Sequence, residues 1–91
     1  MSATRVAAVP DYTQLARFLI APLLDDPNSL KLDCEINSAR QRAWLRVAFE
    51  GSDKGRVFGR GGRTIQAIRT VLEAAAQLVG YTIYLDIYGD R

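Results

Sequence analysis

A run of glycines between two helical segments constrains the fold more than any other feature. Three of the four residues from 59 to 62 are glycine, with Arg60 the exception. Directly after them, apolar residues recur at spacings of three and four, which predicts a long helix over Arg63–Val79 with Gly80 as its stop. The chain must therefore turn sharply before it enters this helix. The apolar stripe of the helix consists of Ile65, Ile68, Leu72, Ala75 and Val79, with Val71 and Ala76 beside it.

Three strands and a first helix are predicted in the rest of the chain. Apolar and polar residues alternate, as in strands with one buried face, over Leu30–Asn37, Arg42–Glu50 and Thr82–Tyr88. A first helix is predicted to begin after Asp11, a capping residue with Gln14 three positions on. It should kink or end near Ala21, because Pro22 cannot donate a helical hydrogen bond.

A short helix is predicted just before the glycines, capped by Ser52 or Asp53 and continuing through Phe58. The order is then helix, strand, strand, helix, helix, strand. Two helices between the last two strands allow a right-handed parallel crossover, which gives an α+β fold with a three-stranded mixed sheet and helices on one face. The 91 residues suffice for one domain, which we assign to residues 11–91 after a flexible arm over residues 1–10.

The distribution of charge indicates a small anionic ligand. The chain has 12 basic and 10 acidic residues, a net charge of +2. Between Gly51 and Thr70 the only acid is Asp53, so this segment carries +4 and the rest of the chain −2. The basic residues of the segment are Lys54, Arg56, Arg60, Arg63 and Arg69.

Composition argues against several classes of function. With no His and a single cysteine, Cys34, the chain should hold neither zinc nor an intrachain disulfide. It lacks a nucleophile–base pair, so we expect no enzyme, no cofactor and no metal. No stretch reaches the ~20 apolar residues of a membrane span and no signal peptide is recognisable, so we expect a cytoplasmic protein. Cys34 lies on the apolar side of its strand and is expected in the core.

The glycines also predict what the turn binds. A turn between helices does not need three of them, but residues without a Cβ let the backbone approach a bulky ligand and adopt positive φ. Free N–H groups at the start of the following helix favour an anion, and Arg60 and Arg63 add positive charge. Together these features select for phosphate. The spacing fits neither a Walker A loop nor the Gly-x-Gly-x-x-Gly motif, which must follow a strand.

At Gly55–Ile65 the chain resembles the KH domain, in which a Gly-x-x-Gly turn joins two helices. The sequence Gly-Arg-Val-Phe-Gly-Arg-Gly-Gly-Arg-Thr-Ile, with Gln66–Leu72 after it, is similar to the small single-KH RNA-binding proteins of bacteria, the KhpA type. The resemblance runs from about Tyr12 to Ile87 and implies the type II KH topology. Phe58 departs from the usual aliphatic residue, and Pro22 interrupts the first helix.

The resemblance implies a mechanism in which the loop Gly59–Gly62 clamps the sugar-phosphate backbone of about four nucleotides of single-stranded RNA. The N–H groups of Arg60 and Gly61 would face phosphates. It also implies post-transcriptional regulation or ribosome-associated RNA handling, and a homodimer or pairing with a second KH-containing protein. The residues assigned to RNA binding are Arg56, Phe58, Gly59, Arg60, Gly61, Gly62 and Arg63.

A predicted aromatic patch leaves an alternative open. Trp44 and Tyr84, on neighbouring strands, should form an exposed pair on the face opposite the apolar stripes, with Tyr88 further along. We interpret Trp44 and Tyr84 as a candidate protein interface. The alternative function is a protein-interaction or dimerisation adaptor in which the loop is vestigial, and a small enzyme ranks last. Asp33 and Glu35 share a strand face and are interpreted as solvated charges.

Overall fold

The computed structural model describes residues 10–89, and its helices and strands follow the predicted order. They are α1 (Tyr12–Ile20), β1 (Lys31–Asn37), β2 (Arg42–Phe49), α2 (Lys54–Phe58), α3 (Arg63–Gln77) and β3 (Thr82–Gly89). The arm predicted over residues 1–10 lies outside the described residues except for Pro10, and the assignment of residues 11–91 to one domain stays a prediction. Within residues 10–89, no helix is both long enough and apolar enough to cross a membrane.

The first helix has the predicted boundaries. The Asp11 carboxylate accepts a hydrogen bond from the backbone N–H of Gln14 at 3.1 Å, which caps the start of α1. The helix gives way to a 3-10 turn over Ala21–Leu23, because Pro22 has no N–H to donate.

The sheet has the strand order β1–β2–β3, with β2 in the centre. β1 runs antiparallel to β2, whereas β3 runs parallel to it, and α2 and α3 form the crossover that a parallel pair requires. The element order and the mixed sheet are those of the type II KH fold, so the predicted fold class is confirmed.

The core lies between the helices and one face of the sheet. Alternate residues of β2 are buried, whereas Trp44 and Arg46 between them are only half-buried on the opposite face. Burying one large aliphatic side chain contributes about 1.5–3 kcal/mol. Cys34 packs half-buried against the core, and burial raises the pKa of its thiol. The most deeply buried core residues include Tyr12, Ala16, Ile20, Ala43, Leu45, Val47, Val57, Leu72 and Ala76.

Gly80 stops α3 as predicted. It has φ +78°, its N–H donates to the Gln77 carbonyl at 3.0 Å, and the Tyr81 N–H donates to the Ala76 carbonyl at 2.8 Å. This pair of bonds is the Schellman arrangement that left-handed glycine permits. The regular helix ends at Gln77, two residues before the predicted end, because Val79 already bonds three residues back to Ala76.

Asp53 corrects one prediction, since its side chain makes no cap bond to α2. A 3-10 turn over Gly51–Asp53 leads directly into α2, and the Lys54 N–H is already satisfied by the Gly51 carbonyl. The Asp53 carboxylate, only 1% exposed, instead accepts the backbone N–H of Asp25 with both oxygens at 3.3 Å. It therefore ties the connection after α1 to the start of α2.

Candidate nucleic-acid interface

The loop Gly59–Gly62, called the glycine loop below, depends on backbone conformations that suit glycine. Gly59 has φ +76° and ψ +173°, a region that is essentially restricted to glycine. Gly61 and Gly62 lie in the left-handed region, with φ +64° and +77°. The loop therefore reverses the chain between α2 and α3 in a way that bulkier residues would strain.

Two of these glycines differ in their surroundings. A Cβ on Gly59 would lie 2.9 Å from the backbone nitrogen of Thr64 and would also overlap the Thr64 side chain. A Cβ on Gly61 would meet nothing within 4 Å. Gly59 is thus required by close packing inside the loop, whereas Gly61 faces open space where a ligand could approach.

The backbone amides of the glycine loop fall into two groups. Gly59 N–H donates to the Gly55 carbonyl at 2.8 Å, Gly62 N–H to the Gly59 carbonyl at 3.1 Å, and Arg63 N–H to the Arg60 carbonyl. Among the turn and loop hydrogen bonds within residues 10–89, none uses the N–H of Arg60 or Gly61, and the donors that close the 3-10 turn are Gly62 and Arg63. Both residues are exposed, so these two donors are available at the start of α3, where the helix dipole favours an anion.

Arg60 and Arg63 flank these amides with accessible charge. Both side chains belong to exposed residues, and neither forms an ion pair with another residue of the described range 10–89. Two free guanidinium groups, two free amides and one helix N-terminus thus converge at one end of α3. This arrangement can hold a phosphate through charge-assisted hydrogen bonds.

Arg56 is placed differently from the other two arginines. Its Nη1 donates to Asp25 Oδ1 at 2.8 Å and lies 3.5 Å from Oδ1 of Asp53. The bond to Asp25 raises the pKa of the Arg56 guanidinium and lowers the pKa of the Asp25 carboxyl. Arg56 lies one turn before the glycine loop, but its charge is already paired.

Phe58, at the end of α2, is half-buried and packs against the core. Its neighbour Val57 is completely buried, so this part of α2 is anchored to the body of the domain immediately before Gly59. The predicted RNA-binding residues are therefore contiguous around the loop, but Phe58 and Arg56 make protein contacts that Arg60 and Arg63 do not.

Asp53 is the residue near the site that sequence reasoning missed. The available signal was that it is the only acid in a strongly basic segment. Its 1% exposure and the bond that it accepts from the Asp25 N–H show that this carboxylate is buried as a structural acceptor.

The sheet face not covered by helices, called the open sheet face below, carries the predicted aromatic pair. Trp44 and Tyr84 lie opposite each other on β2 and β3, with ring centroids 4.9 Å apart and planes inclined by 23°. Beside them, Arg46 bonds Asp33 at 3.1 Å and Glu35 at 2.9 Å. The two carboxylates predicted as solvated charges are thus exposed but paired with Arg46.

Metal binding finds no support in the described part of the chain, residues 10–89. No group of three or more His, Cys, Asp or Glu side chains there is arranged to hold a metal ion.

Comparison with known proteins gives one family match and several similar proteins. Residues 13–87 match the family described as "KhpA/KhpB, KH domain". The "RNA-binding protein KhpA" of Bacillus subtilis is 33% identical over 70 residues, covering 77% of this chain and 84% of that protein. The protein of the same name from Borreliella burgdorferi is 31% identical over 74 residues, covering 81% and 88%. That of Mycobacterium tuberculosis is 36% identical over 69 residues, covering 76% and 80%. No solved structure gives a significant match.

Proposed function

The chain belongs to the KhpA/KhpB KH-domain family, and from this premise we propose that it binds single-stranded RNA by clamping the sugar-phosphate backbone at the glycine loop. The observation that carries the proposal is the pair of N–H groups at the exposed residues Arg60 and Gly61, which donate to none of the turn and loop bonds within residues 10–89. The relatives are named for RNA binding and not for a reaction, in keeping with a protein that is not an enzyme.

The glycine, the two amides and the two arginines at the loop suggest how a phosphate would bind. A phosphate approaching Gly61 meets no side chain, because a Cβ there would have open space around it. It then accepts hydrogen bonds from the amides of Arg60 and Gly61 and gains from the dipole of α3. The side chains of Arg60 and Arg63 neutralise this phosphate or its neighbours along the strand.

Backbone contacts of this kind carry little sequence information, so a single module should bind in the micromolar range with weak sequence preference. Few phosphates are neutralised, so the dependence on salt should be shallow, with a slope of about −0.7 per phosphate on a single strand. As the family resemblance implies, the RNA bases would lie beside the loop, next to Phe58.

We place this activity in post-transcriptional regulation or ribosome-associated RNA handling in the cytoplasm of bacteria, the roles that the family resemblance implies. A loop that recognises the backbone and not a defined sequence suits a protein that contacts many RNAs.

A loop variant and a control that reverses the charge of one distant arginine test the site. Arg60→Asp with Gly61→Asp places two carboxylates at the free amides, while Asp tolerates the left-handed conformation of residue 61. Fluorescence anisotropy with mixed single-stranded RNA oligonucleotides should show loss of binding, with an unchanged circular dichroism melt. Binding that survives in this variant would reject the site.

Arg40→Asp is the control for change of charge. Arg40 is exposed in the turn between β1 and β2, and Gln41 beside it bonds the start of β3, near the far end of α3. Because α3 has 15 residues, about 22 Å separates its two ends. RNA binding by Arg40→Asp should therefore fall far less than in the loop variant.

A second function is favoured by the open sheet face. The Trp44–Tyr84 stack is an apolar surface without a covering helix, and the adjacent Arg46 is already paired with Asp33 and Glu35. A saturated cation flanked by two carboxylates does not attract phosphate, so a protein is the better occupant than RNA. We assign this face to self-association, with pairing to a second KH-containing protein as the other outcome of its test.

A further inference from the structure

The contacts of Arg56 bear on how strongly the glycine loop holds RNA. Arg56 forms a cluster with two carboxylates: Asp25, bonded to Nη1 at 2.8 Å, and Asp53, at 3.5 Å from the same nitrogen. The three side chains sum to one negative charge. Despite its position one turn before the loop, Arg56 therefore adds no net attraction for phosphate as the structure stands.

The two carboxylates of the cluster have different environments. The side chain of Asp53 is 1% exposed and is held by the backbone N–H of Asp25. The side chain of Asp25 is 73% exposed and that of Arg56 is 54% exposed. Asp53 is thus a fixed internal partner, whereas the Asp25 carboxylate pairs with Arg56 at the surface, where an RNA phosphate would also arrive.

The fold itself places Asp25 beside Arg56. Its own N–H is bonded to Asp53, which lies at the start of α2, and Arg56 follows three residues later on the same helix. The short Asp25 side chain is therefore delivered to Arg56 by its backbone, which lowers the entropy cost of the pair.

We propose that Asp25 sets the RNA affinity of the glycine loop by acting as an internal competitor for phosphate at Arg56. The inference rests on the proposed function, because it concerns the same bound strand. When Asp25 is paired, the loop binds through Arg60, Arg63 and the two free amides. When the Asp25 carboxylate is neutralised, Arg56 becomes a further phosphate contact.

The expected effect is modest because the competing pair is exposed to solvent. Exposed ion pairs of this kind correspond to changes of about two- to fivefold in an equilibrium constant. Asp25→Asn should therefore tighten RNA binding about two- to fivefold. It should also steepen the salt slope by about 0.7, since one more phosphate is neutralised.

The neighbouring acid gives a matched control. Asp26→Asn removes the same charge one residue away, and its side chain accepts the N–H of Asn28 at 3.0 Å, a bond that an Asn oxygen can also accept. Asp26→Asn should leave the RNA affinity and the salt slope close to those of the parent, because Asp26 forms no ion pair within the described residues 10–89. Equal gains in Asp25→Asn and Asp26→Asn would mean a general charge effect and would overturn the proposal.

A double-mutant cycle adds Arg56→Gln in both backgrounds. Arg56→Gln should lower RNA affinity more in the Asp25→Asn background than in the parent, and in that background it should abolish the gain in affinity and in salt slope. If Arg56→Gln does not fold, the comparison of salt slopes between Asp25→Asn and Asp26→Asn decides alone, and an unchanged slope in Asp25→Asn overturns the proposal.

Adding Gly61→Asp to Asp25→Asn distinguishes the proposed role of Asp25 from the proposed RNA site at the glycine loop. Loss of binding there, combined with no gain from Asp25→Asn alone, would overturn the role of Asp25 and leave the loop site standing. Binding that persists with Gly61→Asp would overturn the loop site, and the role of Asp25 with it.

Discussion

Gly59 and Thr64 approach each other so closely across the glycine loop that a Cβ on Gly59 would lie 2.9 Å from the Thr64 nitrogen. Thr64 belongs to the first turn of α3, so this contact fixes the angle at which the helix leaves the loop. Because Arg60 and Gly61 lie between these two residues in the chain, the same contact restricts where their amides can lie.

Substituting the two glycines should separate folding from binding. Gly59→Ala should destabilise the protein by about 2 kcal/mol or more, since it combines a glycine-only conformation with steric overlap. Gly61→Ala should cost only about 1 kcal/mol, and Gly61→Asn less, because residue 61 lies in the left-handed region with open space around it. Urea denaturation gives the stabilities and anisotropy the RNA affinities. Equal stability losses in the two alanine variants would contradict the contact with Thr64.

The buried carboxylate of Asp53 makes a second prediction. Asp53→Ala removes the acceptor of the Asp25 N–H and the internal partner of Arg56, so the free energy of unfolding should fall by about 2–4 kcal/mol. Asp53→Asn keeps an acceptor oxygen and should cost less. Asp25→Asn, which breaks only an exposed pair, serves as the control and should hardly change the melting temperature. If Asp53→Ala melted at the same temperature as the parent, the Asp53 carboxylate would not stabilise the fold.

The features that the sequence predicts depend on residues close together in the chain, whereas the features that it misses join residues far apart. The helix starts, the Gly80 stop and the turn at residues 59–62 follow from residues within a few positions of one another. The pairing of Arg56 with Asp25 joins residues 31 positions apart, so no local pattern signals it. For the same reason the local sequence predicts Ser52 or Asp53 as a helix cap, whereas the bond that Asp53 accepts from Asp25 forms only because α2 packs beside the connection after α1.

The core contains one polar atom whose loss should be harmless. Tyr12 is 1% exposed, and its hydroxyl has no hydrogen-bond partner among residues 10–89. Burial raises the pKa of this phenol. Tyr12→Phe keeps the ring and removes the unpaired hydroxyl, so stability should be unchanged or rise by about 1 kcal/mol. Tyr12→Ala should instead cost about 3–5 kcal/mol through the cavity it leaves. A clear loss of stability in Tyr12→Phe, measured by urea denaturation, would reveal a partner such as buried water.

Self-association through the open sheet face gives the last prediction. Trp44→Glu places a charge beside Glu35, its antiparallel partner on β1, and removes the stack with Tyr84. Both effects oppose burial of this face against a second copy, so light scattering should show the parent as a dimer and Trp44→Glu as a monomer. Tyr84→Ser is the milder second variant and should weaken the dimer without adding charge.

The control for this test lies on the opposite side of the molecule. Leu78, immediately after α3, is 86% exposed, so Leu78→Glu removes an exposed apolar side chain without touching the sheet. If the open sheet face is the interface, Leu78→Glu stays dimeric. If Leu78→Glu dissociates while Trp44→Glu does not, the copies meet through the helical layer, and the aromatic pair is left for a different KH-containing partner. A monomeric parent would remove self-association altogether, while leaving RNA binding at the glycine loop to its own test.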